Sequence, residues 1–326
     1  MSKPKVGFYW CASCGGCEES VVDLAEDILG VVDAVDFVFF PVAMDFKRSD
    51  VEAMADGEMA VCMINGAIRT SEQLEMVELL RKKSQLIIAY GACSSLGGIP
   101  GLANLYSKES LLKAAYGDEL STTNPDYTLP QTEIKVKEGM LDLPELHDDV
   151  KSLDMVVDVD YYIPGCAPPV RLLKNALTAI LEGNLPPKGA VLAPDIAVCD
   201  ECSLNKTKPE KMLVSEYKRP HQDHIDPEKC LLAQGFLCLG PVTRQGCDAA
   251  CPSVGMPCTG CQGPLGSVVD FGAKALSGIA SILDSNDADE IAKLFDEIPD
   301  PAGTFYRYSY PKSQLFRRTN FKEETK

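Results

Sequence analysis

The chain has 326 residues, 45% of them apolar, and a formal net charge of −17. That length suits roughly two domains with a sizeable core, the charge argues against a nucleic-acid surface, and no apolar run reaches the ~18 residues of a membrane span. The opening MSKPKVGFYW carries neither a long apolar leader with a cleavage site nor a twin-arginine signal, so cytoplasmic residence and reduced thiols are expected. Most of the acidity is read as plain solubility.

In chain order, Lys5–Trp10 reads as a buried first strand. It runs into the glycine-bearing turn Cys11-Ala-Ser-Cys14-Gly-Gly-Cys17-Glu-Glu-Ser20. Val21, Val22, Leu24, Ile28 and Leu29 then recur near helical spacing. Such a strand–turn–helix aims backbone N–H groups at whatever sits on the turn and favours an anion there. Apolar runs at Ala34–Ala43 and Met59–Ile64 read as further strands. A helix over Ser71–Lys83 leads to the strand Gln85–Tyr90, which ends in Gly91-Ala92-Cys93. After a polar, proline-dotted insertion at about 104–151, the run Met155–Ile163 ends in Pro164-Gly165-Cys166, and a helix over Val170–Glu182 follows.

Near-continuous apolar strands alternating with helices predict a doubly wound parallel sheet, flavodoxin-like in class, covered on both faces. Ligands of such sheets gather beyond the carboxyl ends of the strands, where Cys14, Cys17, Cys93 and Cys166 all fall. Four thiols arriving from three strand ends predict a bound cluster. Cys11 stands three positions before Cys14, repeating the x2 spacing of the Cys14-x2-Cys17 pair, and competes with Cys14 for that role.

The proline-rich stretch NLPPKGAVLAP (184–194) divides the chain into a domain at 1–185 and a second at 186–326. Eight of the fourteen cysteines crowd between Cys199 and Cys261. In an intracellular chain this density points to metal rather than disulfides. It implies two four-cysteine sites, with zinc and iron–sulfur both open on spacing alone. Little regular periodicity surrounds them, as suits a small irregular ferredoxin-like domain folded on metal. Helical spacing returns over 265–295, and the chain closes on the basic, aromatic stretch FYRYSYPKSQLFRRTNFK (305–322), read equally as packed tail and as docking element. His221 and His224 read as solvated loop, and no P-loop or GxGxxG is present.

Cys14-Gly-Gly-Cys17-Glu-Glu-Ser20, Gly91-Ala92-Cys93 with Gly97-Gly98, and Pro164-Gly165-Cys166 resemble the three motifs of the small subunit of [NiFe] hydrogenases. Lys229-Cys230, Cys238-Leu-Gly-Pro and Pro257-Cys258-Thr-Gly-Cys261 extend the likeness. The resemblance implies three [4Fe–4S] clusters. Cys14, Cys17, Cys93 and Cys166 would hold the proximal one, Cys247, Cys251, Cys258 and Cys261 the medial, and Cys199, Cys202, Cys230 and Cys238 the distal. It implies a nickel–iron centre on a partner large subunit, with this chain relaying electrons from dihydrogen oxidation. All-cysteine ligation resembles the cytoplasmic branch, above all the methyl-viologen-reducing type. Its acceptor is a small iron–sulfur or flavin subunit of an electron-bifurcating heterodisulfide reductase complex. No catalytic residue is expected on this chain. Asn65 stands where the family commonly has an acid, and this departure keeps a second expectation open: an electron-transfer adaptor whose large partner lacks nickel. Cys11 and Cys62 are left without a ligand role.

Overall fold

The computed structural model describes residues 3–316. Strand β1 (Lys5–Trp10) leads through the cysteine turn to α1 (Gly16–Val22) and α2 (Asp27–Ala34), then to β2 (Asp36–Phe39) and the short α3 (Arg48–Glu52). β3 (Met59–Asn65) and β4 (Ile68–Thr70) precede α4 (Ser71–Lys83), β5 (Ser84–Tyr90) and α5 (Ala92–Leu96). α6 (Lys108–Lys113) and the strands β6 (Glu133–Val136), β7 (Gly139–Asp142) and β8 (Leu146–Lys151) occupy the insertion. β9 (Tyr161–Ile163) and α7 (Val170–Leu181) close the first half.

Five strands form one parallel sheet in the order β2-β1-β3-β5-β9. Counting only these strands, the order is 2-1-3-4-5, the flavodoxin-like form of the doubly wound sheet. Both faces are covered. Phe8, Val21, Leu24, Tyr90 and Leu172 pack on one side; Phe39, Ile64, Met76, Leu80 and Leu153 pack on the other. Two-sided burial is why the central strands read as continuous apolar runs.

Local sequence sets several boundaries. The Thr70 hydroxyl accepts the Gln73 N–H at 3.3 Å, and the Gln73 amide oxygen accepts the Thr70 N–H at 3.1 Å, a capping box that starts α4. Arg81, Lys82 and Lys83 fill its last turn against the dipole. Four expectations are corrected. The helix after the cysteine turn is two helices, because Ala25 adopts φ 50° between them. The strand at 34–43 shrinks to β2, ahead of Pro41, which has no N–H to give a ladder. The run at 155–163 keeps only Tyr161–Ile163 as strand, and Leu153–Met155 is a 3₁₀ turn. The helix expected over 265–295 is broken into two, the second capped by Asp287, whose carboxylate accepts from Asp289 and Glu290. In the insertion, β6 and β7 form an exposed hairpin and β8 pairs antiparallel with β4.

Asp160 anchors the edge of the sheet. Its carboxylate, 8% exposed, accepts from Arg81 at 2.6 Å, Lys188 at 2.5 Å and the Ile87 N–H at 2.8 Å. Burial alone would raise its pKa, but the hydrogen bonds from Lys188, Arg81 and Ile87 outweigh burial and hold it below the usual range. A depressed folded-state pKa stabilises above the unfolded value of about 4 and loses that contribution as pH falls through the folded value. Asp160→Asn is therefore expected to cost about 2 kcal/mol at neutral pH. Thermal unfolding of the two proteins checks this; the gap between them should close below about pH 4.

After β9 the segment 189–192 runs along the sheet edge, with Leu192 N–H donating to Tyr162 O at 2.7 Å. The second half is built from α8 (Val198–Glu201), α9 (Ala250–Ser253), α10 (Phe271–Ala280), α11 (Ala288–Asp296) and α12 (Pro301–Phe305), joined by long irregular stretches. Its core of Val198, Leu231, Phe236, Phe271 and Phe305 packs among the cysteines. The described part of the aromatic stretch folds back on the first half: Gly98 N–H donates to Tyr308 O at 3.0 Å, and Lys312 pairs with Asp154. Residues 317–322 of that stretch lie outside the described residues. Among the described residues, no helix is long and apolar enough to cross a membrane.

Candidate iron–sulfur sites

The turn after β1, α5 and the turn after β9 bring Cys14, Cys17, Cys93 and Cys166 together. Cys17 and Cys93 are buried, and Cys14 and Cys166 are exposed. Burial, then the nearby Cys93, Glu18, Cys166 and Cys14, push the Cys17 thiol far up. Burial and the Cys166 and Cys14 thiols push Cys93 up to about 12. Thiols gathered so closely that burial and their neighbours raise the ionisation cost of Cys17, Cys93 and Cys166 form a site matched to a cationic iron core. Glycine makes the room. Gly91 has φ +89°, and a Cβ there would lie 2.5 Å from Cys17 Sγ; at Gly98, φ +59°, a Cβ would strike Cys93 Sγ.

Cys11 is not in this quartet. It is buried in the core on the opposite face of the sheet, among residues that include Cys62, and burial first and Cys62 second raise its pKa. Asn65, at the end of β3, takes a hydrogen bond from Ser13 Oγ at 2.7 Å and donates to Glu18 Oε1. Glu18 is 5% exposed, and its Oε2 has no partner. Burial raises its pKa, partly offset by the bond from Asn65. Asn65 is thus paired with an acid at position 18, supplied by the helix that also carries Cys17. The Glu-Glu pair after Cys17 is the signal for it in the sequence.

In the second half, Cys199, Cys202, Cys230 and Cys238 wall one hollow. Gly240 keeps its side open, since a Cβ there would lie 3.3 Å from Cys199 Sγ and 3.6 Å from Cys238 Sγ. A zinc site would instead draw four sulfurs to ~2.3 Å of one point. Cys247, Cys251 and Cys258 all face Cys261, either directly or through its field: burial first raises Cys261 to about 12, and Cys247, Cys166 and Cys251 add to it. Cys261 is likewise among the groups that raise Cys258. Two approaches link the three groups. Cys166 lies near enough for its field to act on Cys261, and the Cys258 N–H donates to Cys238 Sγ at 3.3 Å. The group around Cys261 therefore lies between the other two.

Polar atoms left over beside these cysteines fit a bound sulfide-bearing group. The hydroxyl donors of Ser94 and Ser95, just after Cys93 in sequence, are buried without a partner, whereas buried polar groups are nearly always satisfied. Sequence reasoning missed Glu18, Glu201 and Lys208, because a polar neighbour of a cysteine becomes informative only once its direction is known.

A flavodoxin-like sheet with cysteines at its strand ends, followed by a cysteine-walled second half, defines a class. The profile of the NADH ubiquinone oxidoreductase 20 Kd subunit family matches residues 14–180. The chain is 41% identical to the iron–sulfur subunit of the F420-non-reducing hydrogenase of Archaeoglobus profundus over 96% of this chain and 98% of that protein. It is 36% identical to a subunit of the F420-non-reducing hydrogenase of Methanothermobacter thermautotrophicus over 96% of each. A [NiFeSe]-hydrogenase chain of Dm. baculatum shares its fold, with a TM-score of 0.50 and 17% identity over 82% of this chain and 96% of that one. The chain belongs to the 20 Kd subunit family and, within it, to the hydrogenase small subunits of the F420-non-reducing type, the family its motifs resemble.

Proposed function

We propose that this chain is the electron-transferring small subunit of a cytoplasmic hydrogenase with a nickel–iron large subunit. It would hold three [4Fe–4S] clusters in a row and deliver electrons to a flavin or iron–sulfur subunit of a heterodisulfide reductase complex. Its first domain, 1–185, would carry the proximal ligands Cys14, Cys17, Cys93 and Cys166. The second, 186–326, would carry the medial ligands Cys247, Cys251, Cys258 and Cys261 and the distal ligands Cys199, Cys202, Cys230 and Cys238. The observation that carries this reading is the succession of the three groups, with Cys166 close to Cys261 and the Cys258 N–H donating to Cys238 Sγ at 3.3 Å. Bound clusters would supply one-electron acceptors and donors.

The chain's own residues bind and shield. Cys17, Cys93, Cys230, Cys238 and Cys258 are buried and keep water from the sulfurs. Around exposed Cys14, the apolar side chains of Trp10, Val22 and Val42 are also exposed, a face suited to a permanent large-subunit contact. At the far end, Cys199 and Cys202 are half-exposed beside Lys208, where an acceptor could approach.

Anaerobic purification tests the reading. A brown chain with about twelve irons and matching acid-labile sulfide is expected from three four-iron clusters. Its co-purified complex should contain nickel and reduce viologen with dihydrogen. A colourless zinc protein would end the proposal, and an intact complex without nickel would favour the adaptor instead.

A further inference from the structure

We infer that Glu201 and Lys208 build an electrostatic step between the medial and distal sites, so that the distal one is the easier to reduce. The inference rests on the three-cluster reading above, and it concerns two side chains that no ligand role explains.

Glu201 sits between two distal cysteines in sequence, yet its side chain turns to the medial site. Its Oε1 accepts the N–H groups of Gly246 at 3.0 Å, Cys247 at 3.1 Å and Ala249 at 3.3 Å. Asp248 and Ala249 both adopt left-handed conformations, with φ 54° and 50°, which curl these donors into a small anion nest. The same oxygen lies 3.7 Å from Cys247 Sγ. A thiol can donate across that gap, but an iron-bound thiolate cannot, so the carboxylate then stands as a fixed like charge against a medial ligand. Arg171 pairs with the other oxygen at 3.3 Å and with Asp248 at 2.8 Å. Arg171 is 44% exposed, against 13% for Glu201, so water screens the cation more than the anion.

The distal site has the opposite neighbour. Among the described residues that wall its hollow, Lys208 is the only charged side chain, and it lines that hollow together with Cys199, Cys202, Cys230 and Cys238. Adding an electron adds negative charge, so a nearby anion disfavours reduction and a nearby cation favours it. With Glu201 at the medial ligands and Lys208 at the distal ones, electrons move downhill outward. The sequence places the two residues seven positions apart, from the end of α8 to just past the turn that follows it, which makes the step a property of this segment.

Potentiometric titration of the anaerobic complex, followed by electron paramagnetic resonance, reads the step. Signals are assigned by which one Cys251→Ala or Cys202→Ala removes. Glu201→Gln keeps an oxygen for the nest and removes the charge. It should raise the reduced-to-oxidised ratio of the medial signal about tenfold at fixed potential, ~59 mV for one electron, and leave the distal signal in place. Lys208→Met should lower the distal ratio about as much, and Lys208→Arg should restore it. Arg171→Met bares the carboxylate and should move the medial signal in the opposite sense to Glu201→Gln, which keeps the test alive if that variant loses its cluster. Unmoved midpoints in variants that keep the parent's iron content would overturn the inference, as would medial and distal signals shifting together. Fewer than about twelve irons in the unaltered chain would instead sink the cluster reading itself.

Discussion

Alanine at Cys17 should strip about four irons from the chain, whereas alanine at Cys11 should strip none. The two residues flank the same turn at equal spacing from Cys14, so composition and motif counting treat them alike. The structure does not. Cys17 opens α1 with its thiol among those of Cys93, Cys166 and Cys14, and Cys11 is packed in the opposite core with Phe39 and Ile64. The readout is iron and acid-labile sulfide per chain, together with dihydrogen-driven viologen reduction by the complex. Cys17→Ala should bring that reduction to background; Cys11→Ala should leave it near the parent rate. An unchanged iron content in Cys17→Ala, or a four-iron loss in Cys11→Ala, would reverse the assignment.

Strand alternation already held the means to separate them. Along β1, Phe8 points to one core and Tyr9 to the other. Successive strand residues face opposite ways, so Cys11 shares the side of Tyr9. What chain order could not supply was the ending of the elements. β3, α4 and β5 were legible because apolar runs and a capping box mark them. β9 was overread because the N–H groups of Val156 and Val157 turn back to Leu153 O, and the backbone reaches β5 only from Asp160, whose N–H donates to Ile87 O. The break at Ala25 has no composition signal, since alanine is ordinarily a helix former. Strand ends carrying Cys14, Cys17, Cys93 and Cys166 could be read from the alternation of strands and helices. The charges beside the cysteines could not, because Glu201 neighbours Cys202 in sequence and Cys247 in space.

Arg244→Met should destabilise the chain by about 3 kcal/mol through lost charge-assisted hydrogen bonds. The guanidinium is 5% exposed, far more buried than its ion-pair partner Asp195 at 61%. Burial lowers its pKa, and Asp195, whose Oδ1 is 2.8 Å away, works against that. Its remaining donors reach Pro264 O at 3.1 Å, Pro194 O at 3.1 Å and Ala193 O at 3.3 Å. One side chain thus fastens the linker that precedes Cys199 to the loop that follows Cys261. The main chain around it does the same, with Arg244 N–H donating to Gly263 O at 2.9 Å and Gln245 N–H to Ile196 O at 2.9 Å. Methionine fills similar volume but leaves three carbonyls without their donor, and lysine restores charge without the fork that reaches all three. The expected order of apparent Tm, at matched iron content, is parent above Arg244→Lys above Arg244→Met. Because 193–195 and 264 come apart together, the methionine variant should also lose iron from the second half faster on warming than from the first. A parent-like Tm in Arg244→Met would mean that backbone ladders alone hold the linker against the cysteine loops.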